Sequence, residues 1–235
     1  EGRVVHVRHG EREAHGRRED EDAAGGNNLT NAGSAYIFSK DQGGTNNWGQ
    51  VKKIAASDRG AGNNFGYSVG ISGTTIVVGA PLEAEDAAGG NTLSNAGSAY
   101  IFSKDEGGAD NWGQVKKIVA SDRGEGDYFG ISVAISGTTV LVGAWQEDED
   151  AEGGNTVSNA GSAYLFSKDQ GGPDNWGQAQ KIVLNDYYKL GLYYGYSVSI
   201  DGDYAAVGAS EDFSDANGAN HLLSVGAAYI LKKVN

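Results

Sequence analysis

Short stretches of apolar residues alternating with polar ones, separated by glycine, asparagine and aspartate, run along the whole chain. In the best-preserved unit they are FGYSVGIS (65–72), TTIVVGAP (74–81), GSAYIFSK (97–104) and WGQVKKIVAS (112–121). Each is short, rich in β-branched and aromatic residues and bounded by turn-forming residues, which predicts a β-strand. We call these strands A, B, C and D. Because no window has helical periodicity, the pattern predicts an all-β protein.

The four strands recur as a unit of about 64 residues. The phrase NAGSAYIFSKD stands at 31–41 and 95–105, and it returns as NAGSAYLFSKD at 159–169. Strands A and B are joined by SGTT or DGD, which is typical of a tight hairpin. Four antiparallel strands repeated at this spacing indicate β-propeller blades. The sequence therefore predicts one propeller domain over 1–235, closed or open, with repeats at about 1–64, 65–128, 129–193 and 194–235.

The first and last units are incomplete or degenerate. Residues 1–18 occupy the place of strands A and B without a gap, but only Gly2 and Val5 match the later copies. They are either a diverged strand pair, in which RVVHVR keeps strand composition, or an out-of-frame copy of an ancestral hairpin. The last unit stops at Asn235, after strand C. Four blades could close alone, pair with a second chain or belong to a longer ring, and an unpaired blade edge favours association.

The phrase FG…VGAP followed by AGSAYIF resembles the FG-GAP repeat. With the Asp-rich B–C loop and ASDRGAGNNFG included, the pattern resembles the bacterial version, and the resemblance covers residues 19–235. It implies a propeller like those of integrin alpha chains and bacterial surface proteins. An extracellular or cell-surface binding or adhesion module with a protein or glycan partner is therefore expected. Integrin-type blades often carry an Asp-rich calcium loop between strands A and B, which SGTT and DGD do not reproduce.

Composition removes several classes of function. The chain of 235 residues has no cysteine and a formal net charge of −13. The absence of cysteine excludes disulfides, Cys-ligated zinc and thiol chemistry. The negative charge argues against nucleic acid and anionic membranes as partners. No apolar run reaches the length of a membrane span.

Acidic residues recur in the loops that an up-and-down blade places at one edge. Each B–C loop carries an acid, a second acid three residues later and then an asparagine, and each D–A loop adds an aspartate. Because Ca²⁺ prefers several oxygen ligands, this pattern predicts one calcium-supported loop per unit. The alternative is a solvated loop in which Asp and Asn side chains cap turns. The predicted ligands are Glu19, Asp22, Asp58, Glu83, Asp86, Asn91, Asp122, Glu147, Asp150, Asn155, Asp212 and Asp215.

Aromatic residues depart from the repeat at two places. Trp145 replaces the proline of VGAP, and DYYKLGLYYGY (186–196) replaces DRGAGNNFGY. Exposed aromatic side chains beside acids are typical of partner recognition, and the alternative is adaptation of a terminal blade to its neighbour. The predicted partner-binding residues are Trp145, Tyr187, Tyr188 and Tyr193.

Catalysis is not expected. Paired carboxylates occur in glycosidases, but near-identical loops lack the two different environments that an acid pair requires. Beyond the first eighteen residues the only histidine is His221, with no nucleophile motif around it. The favoured function is non-enzymatic binding. A structural unit that assembles through blade edges is the alternative, and a hydrolase or lyase ranks below both.

Overall fold

The computed structural model of the protein describes residues 3–8, 22–24, 26–151, 153–154, 156–184, 191–212 and 226–232. Within these ranges the chain forms fourteen β-strands and no helix, so the predicted all-β class is confirmed. The described part of the chain also offers no helical segment with the length and hydropathy of a membrane span.

The strands form four antiparallel sheets, each in the order of the sequence. The first sheet contains β1 (Arg3–Arg8), β2 (Ser34–Lys40) and β3 (Trp48–Ile54). The second contains β4 (Ser68–Ser72), β5 (Thr75–Ala80), β6 (Ser98–Ser103) and β7 (Gly113–Ile118). The third contains β8 (Ser132–Ser136), β9 (Thr139–Ala144), β10 (Ser162–Ser167) and β11 (Gly177–Ile182). The last contains β12 (Tyr194–Asp201), β13 (Tyr204–Ala209) and β14 (Ala227–Lys232). The four-stranded sheets reproduce strands A to D, which confirms the predicted blade.

β1 takes a different place from the one that the sequence spacing indicates. The gapless alignment sets RVVHVR against strand A, but β1 pairs with β2 in the position of strand B. Arg3 lies opposite Ser39 as Thr75 of β5 lies opposite Ser103. Without a partner on this side, β2 would present an open hydrogen-bonding edge. RVVHVR has a strand-forming composition and covers that edge. Residues 9–21 lie outside the described ranges.

The A–B hairpins close at glycines with left-handed backbone angles. Gly73 and Gly137 both have φ of 56°, which costs glycine no steric strain. Gly137 N donates to Ser72 Oγ of the preceding sheet at 3.0 Å. Lys104 N, in a C–D turn, donates to Thr74 O at 2.9 Å. The short turns therefore share one edge of the molecule.

Successive sheets approach each other where a glycine leaves room for a carbonyl group. A Cβ atom placed on Gly143 would lie 1.9 Å from the carbonyl oxygen of Gly195 in the next sheet. Ser132 Oγ donates to the same oxygen at 2.8 Å. We call this Gly–Ser pair a carbonyl notch. The notch one sheet earlier consists of Gly79 and Ser68, and it receives the carbonyl of Gly130.

Apolar side chains fill the space between neighbouring sheets. Val77 and Ile101 of the second sheet are fully buried against Val142, Tyr164 and Phe166 of the third. Each sheet packs in this way against the next one in the sequence. Among the described strands, the first and last sheets share no contact as extensive as those between successive sheets. The four sheets, as far as they are described, therefore form an open arc.

The long D–A and B–C loops meet at the other edge of the arc, as predicted. Phe65 N donates to Ala32 O at 2.9 Å, and Tyr194 N donates to Ala160 O at 3.0 Å. The start of each A strand is thereby tied to the B–C loop of the preceding sheet. We call this edge the acidic rim, meaning the described residues of loops 55–67, 81–97, 119–131 and 145–161.

Candidate functional site

Two acids of the acidic rim are almost completely buried, one in each four-stranded sheet. Glu83 and Glu147 follow strand B closely, and each residue is 1% exposed. An aspartate from the D–A loop and a second glutamate lie beside each of them, with carboxylate oxygens within 4.8 Å of one another. We call these groups acidic triads. They are Asp58–Glu83–Glu85 and Asp122–Glu147–Glu149.

Each acidic triad encloses a lysine side chain from strand D. Lys181 Nζ lies 2.7 Å from Asp122 Oδ2 and 2.8 Å from Glu147 Oε1. A buried ammonium group needs such partners, because desolvation of an unpaired charge costs several kcal/mol. The second sheet repeats the arrangement with Lys117, which lies 2.8 Å from Asp58 Oδ2 and 2.9 Å from Glu83 Oε2.

Hydroxyl groups complete the hydrogen bonding of the third-sheet triad. Ser162 Oγ donates to Glu147, and the Tyr164 hydroxyl donates to Asp122 Oδ1 at 3.0 Å. Burial raises the pKa of Glu147 to about 6, although Lys181 and Ser162 act in the opposite direction. Burial lowers the pKa of Lys181, but hydrogen bonds to Asp122 and Glu147 outweigh it and leave the pKa raised. The lysine is therefore held in its charged form.

The enclosed lysine decides what else a triad can bind. Clustered carboxylates suit a cation, and an ammonium group already donates to two of the three carboxylates. Calcium does not fit these oxygens while the lysine is in place, so a metal ion would have to displace it. The calcium hypothesis stays a prediction for Asp58, Glu83, Asp122 and Glu147.

The second acid of each B–C loop belongs to a turn. Asp86 accepts hydrogen bonds from Ala88 N at 2.9 Å and Gly90 N at 3.0 Å, and the Asn91 side chain donates to its other oxygen. These bonds lower the pKa of Asp86. Asp86 and Asn91 are not part of a triad. Equivalent turns are capped by Asp22, which binds Ala24 N, Gly26 N and Asn27, and by Asp150, which binds Gly154 N.

Fewer predicted residues can be placed in the outer units. Asp212, the counterpart of Glu147 in the last sheet, is buried and accepts a hydrogen bond from the Tyr229 hydroxyl. The described strands of that sheet include no strand D that could supply a lysine. The predicted residues Glu19, Asn155, Tyr187, Tyr188 and Asp215 lie outside the described ranges.

Two predicted recognition residues come together at the junction of the third and fourth sheets. The ring centres of Trp145 and Tyr193 are 4.9 Å apart. Tyr128 and Tyr196 join them, with ring centres 5.8 Å and 5.4 Å from that of Trp145. Tyr196 is 48% exposed, and the other three residues are half-buried. We call these four residues the aromatic patch.

Tyr128 and Tyr196 were missed by the sequence analysis, although the repeat contains a signal for Tyr128. The residue before the FG pair is asparagine in one unit, Asn64, and tyrosine in the next, Tyr128. Comparing this position between units would have added Tyr128 to the prediction. At the preceding junction the four positions of the patch hold Asn64, Pro81, Tyr128 and Ile131.

Asp127 is a further buried acid of the rim that the sequence analysis missed. It is 6% exposed and accepts a hydrogen bond from Gly124 N. Burial raises the pKa of Asp127 to about 6 against the effect of this hydrogen bond, and the negative charges of Asp122 and Asp148 raise it further. Asp127 is therefore a source of pH-dependent stability near the aromatic patch.

Replacing Asp127 with asparagine, which stands at the matching position as Asn63, will flatten the pH dependence of stability. Because the folded pKa lies above 3.8, the folded protein binds this proton more tightly than the unfolded chain. In the window between the unfolded pKa of 3.8 and the folded pKa of about 6, the free energy of unfolding of the wild type should fall by about 3 kcal/mol as pH rises. Urea unfolding below, within and above the window measures the difference. Parallel pH profiles of the two proteins would contradict the prediction.

The comparisons with known proteins agree with this architecture. The profile described as FG-GAP repeat matches residues 48–102, 112–166 and 176–231, which together make up more than half of the chain. Each match begins near strand D of one sheet and ends in strand C of the next, so it spans a junction between sheets. No curated protein matches the sequence significantly.

Proposed function

Because the chain belongs to the FG-GAP repeat family, we propose that it is a non-enzymatic binding module that holds a protein or glycan partner at the aromatic patch. Propellers of this family are generally binding modules, which supports the class of function. An extracellular or cell-surface location is part of the proposal. Its support is the resemblance to the repeats of integrin alpha chains and bacterial surface proteins.

The observation that carries the proposal is the meeting of four aromatic rings at one junction between sheets. Trp145 replaces Pro81, and its ring centre lies 4.9 Å from that of Tyr193, 5.4 Å from that of Tyr196 and 5.8 Å from that of Tyr128. At the preceding junction the same four positions include a single aromatic residue, Tyr128. Tyrosine and tryptophan provide large contact areas and are common in binding hot spots.

Acidic groups beside the aromatic patch favour a partner with basic groups at its contact surface. Asp148 Oδ1 accepts a hydrogen bond from Asn159 N at 2.7 Å. Asn159 O in turn accepts one from Tyr193 N at 3.1 Å, so the carboxylate and the patch are joined through one residue. The net charge of −13 also favours the attraction of a basic partner over longer distances.

The acidic triads support a scaffold role. Each complete sheet carries the same triad with a lysine in the same place. General acid and base catalysis by two carboxylates needs two environments that hold their pKa values apart in one site. The same lysine-paired arrangement occurs in two sheets and holds loops together in both, which favours binding over hydrolase or lyase activity.

Replacing the central ring of the aromatic patch with the residue of the preceding unit will weaken binding. We expect wild-type protein to bind members of a glycan array or of an array of basic peptides. Trp145→Pro, which takes the residue of the preceding unit, should weaken that binding at least about tenfold, because the central ring of the patch is lost. Titration calorimetry with the array hits measures the change.

Tyr67→Ile is the matched control for this experiment. Tyr67 is 40% exposed and occupies the position of Ile131 and Tyr196 at another junction. Binding should survive this substitution. A wild type that binds nothing on either array, or a hit that both variants bind equally well, would refute the proposal.

A further inference from the structure

The loops that hold the aromatic patch carry acids where the preceding unit has neutral residues. Asp127 replaces Asn63, and Asp148 replaces Ala84. Burial is the largest cause of the raised pKa of Asp127, and the negative charges of Asp122 and Asp148 add to it. These carboxylates therefore lie close enough to repel one another, and a bound cation would relieve that repulsion. The same loops have thus gained both aromatic rings and negative charge.

The cations of this region already have partners. Loops 119–131 and 145–161 contain eight acids and a single basic residue, Arg123. Its guanidinium group donates to two carbonyl oxygens of the preceding B–C loop, at 2.9 Å and 2.7 Å. Lys181 pairs with two carboxylates of the third-sheet triad. Among the described residues, no basic side chain forms an ion pair with either of the two added acids.

We propose that the aromatic patch binds an arginine side chain of its partner, with the guanidinium group stacked on the rings and hydrogen-bonded to Asp148. This inference rests on the proposed function and narrows the partner to a protein or peptide that presents arginine. The hydrogen bonds already described place the acid beside the rings, because Asn159 joins Asp148 to Tyr193.

A guanidinium group matches both parts of this surface. It is planar and weakly hydrated, so it stacks on aromatic rings, and its forked N–H groups suit a carboxylate. One oxygen of Asp148 accepts a hydrogen bond from Asn159 N at 2.7 Å, and no described residue donates to the other. Tyr196, 48% exposed, offers ring surface to a ligand. A lysine ammonium group is more strongly hydrated, and a neutral glycan gains no ion pair, so both suit the site less well.

Calorimetric titration of the full chain with two terminally blocked peptides tests the inference. One peptide has two arginines among glycines, and the other has lysines in their place. The wild type should bind the arginine peptide at least about fivefold more tightly. Asp148→Asn removes the charge but keeps an oxygen for Asn159 N, and it should weaken arginine binding about tenfold. Circular dichroism checks that each variant is folded.

Glu106→Gln is the matched control for the loss of one negative charge. Glu106 is exposed in a C–D turn at the opposite edge of the molecule, and other units have Gln42 and Gln170 at this position. Arginine binding should survive this substitution unchanged. An equal loss in Glu106→Gln and Asp148→Asn would assign binding to net charge alone and overturn the inference.

Two further outcomes separate this inference from the proposed function. Equal binding of the arginine and lysine peptides would show that the guanidinium group is not what the patch recognises. A glycan whose binding is weakened by Trp145→Pro, with no binding of the arginine peptide, would overturn the arginine assignment and leave the proposed function standing. If Trp145→Pro weakens the binding of no peptide and no glycan, both are refuted.

Discussion

Lys181→Met will lower the free energy of unfolding by about 3–5 kcal/mol at neutral pH. The substitution keeps an apolar side chain of similar length but removes the ammonium group from Asp122 and Glu147, which lie 2.7 Å and 2.8 Å from it. A buried carboxylate without a counter-charge is what makes the loss large. Equilibrium unfolding in urea at neutral pH measures the change.

The control for this substitution is Lys168→Met. Lys168 pairs with Asp174 at 3.0 Å, but the two side chains are 40% and 67% exposed. Removal of this surface pair should cost less than about 1 kcal/mol. Adding Glu147→Gln to Lys181→Met should recover part of the loss. Lowering the pH should do the same, because loss of Lys181 raises the pKa of Glu147 further and the buried carboxylate takes up a proton more readily. Equal costs for the two lysines would show that the triad is not held by its charge pairs.

The same variant separates calcium from lysine as the cation of the triad. A ligand that binds only the folded state raises its stability by mass action. In Lys181→Met, Asp122, Glu147 and Glu149 are free of the ammonium group, so added Ca²⁺ should raise the melting temperature above that measured with chelator. In the wild type the lysine competes for these oxygens, and the rise should be smaller. A larger rise in the wild type would place calcium at oxygens other than those of the triad.

Gly143→Ala will destabilise the protein by about 3 kcal/mol or more. The added methyl group would lie 1.9 Å from Gly195 O, a backbone atom of the next sheet that cannot rotate away. Relief requires the third and fourth sheets to separate, which also breaks the hydrogen bond from Ser132 Oγ. Thermal unfolding of the purified variant measures the loss.

Gly208→Ala tests whether this loss comes from the junction between sheets. The two glycines occupy the same position of their sheets, but the methyl group at position 208 meets only Ser197, whose hydroxyl can rotate. The change should be less than about 1 kcal/mol. A loss as large as that of Gly143→Ala would assign the effect to the strand itself.

The sequence was sufficient to predict strands β4 to β11, because the signals for each strand lie close together along the chain. Strand composition and hairpin turns each involve only a few residues, and the repeat shows that the same strands recur. The place of β1 could not be predicted in this way. Alignment preserves order along the chain, whereas the open edge of β2 accepts any strand that reaches it. Pairing with β2 therefore outweighed the alignment with strand A.

The acidic rim was predicted, but its charge balance was not. Loop acids were considered as ligands for an external cation, because their spacing within each loop is visible in the sequence. Lys117, the cation that the structure supplies to Asp58, lies 59 residues away in strand D. The doublet in WGQVKKI contained the necessary information, since alternation along a strand sends one of two neighbouring lysines toward the interior.

The open arc also affects how such a chain can change during evolution. A repeat that contacts only its two neighbours can be inserted or deleted without altering the remaining interfaces. The near-identical units of this chain favour recombination between repeats. A crossover between two misaligned copies still joins the strands of a blade in the correct order. Gain or loss of about 64 residues would lengthen or shorten the array by one blade, and every junction between blades would keep the same kinds of contact.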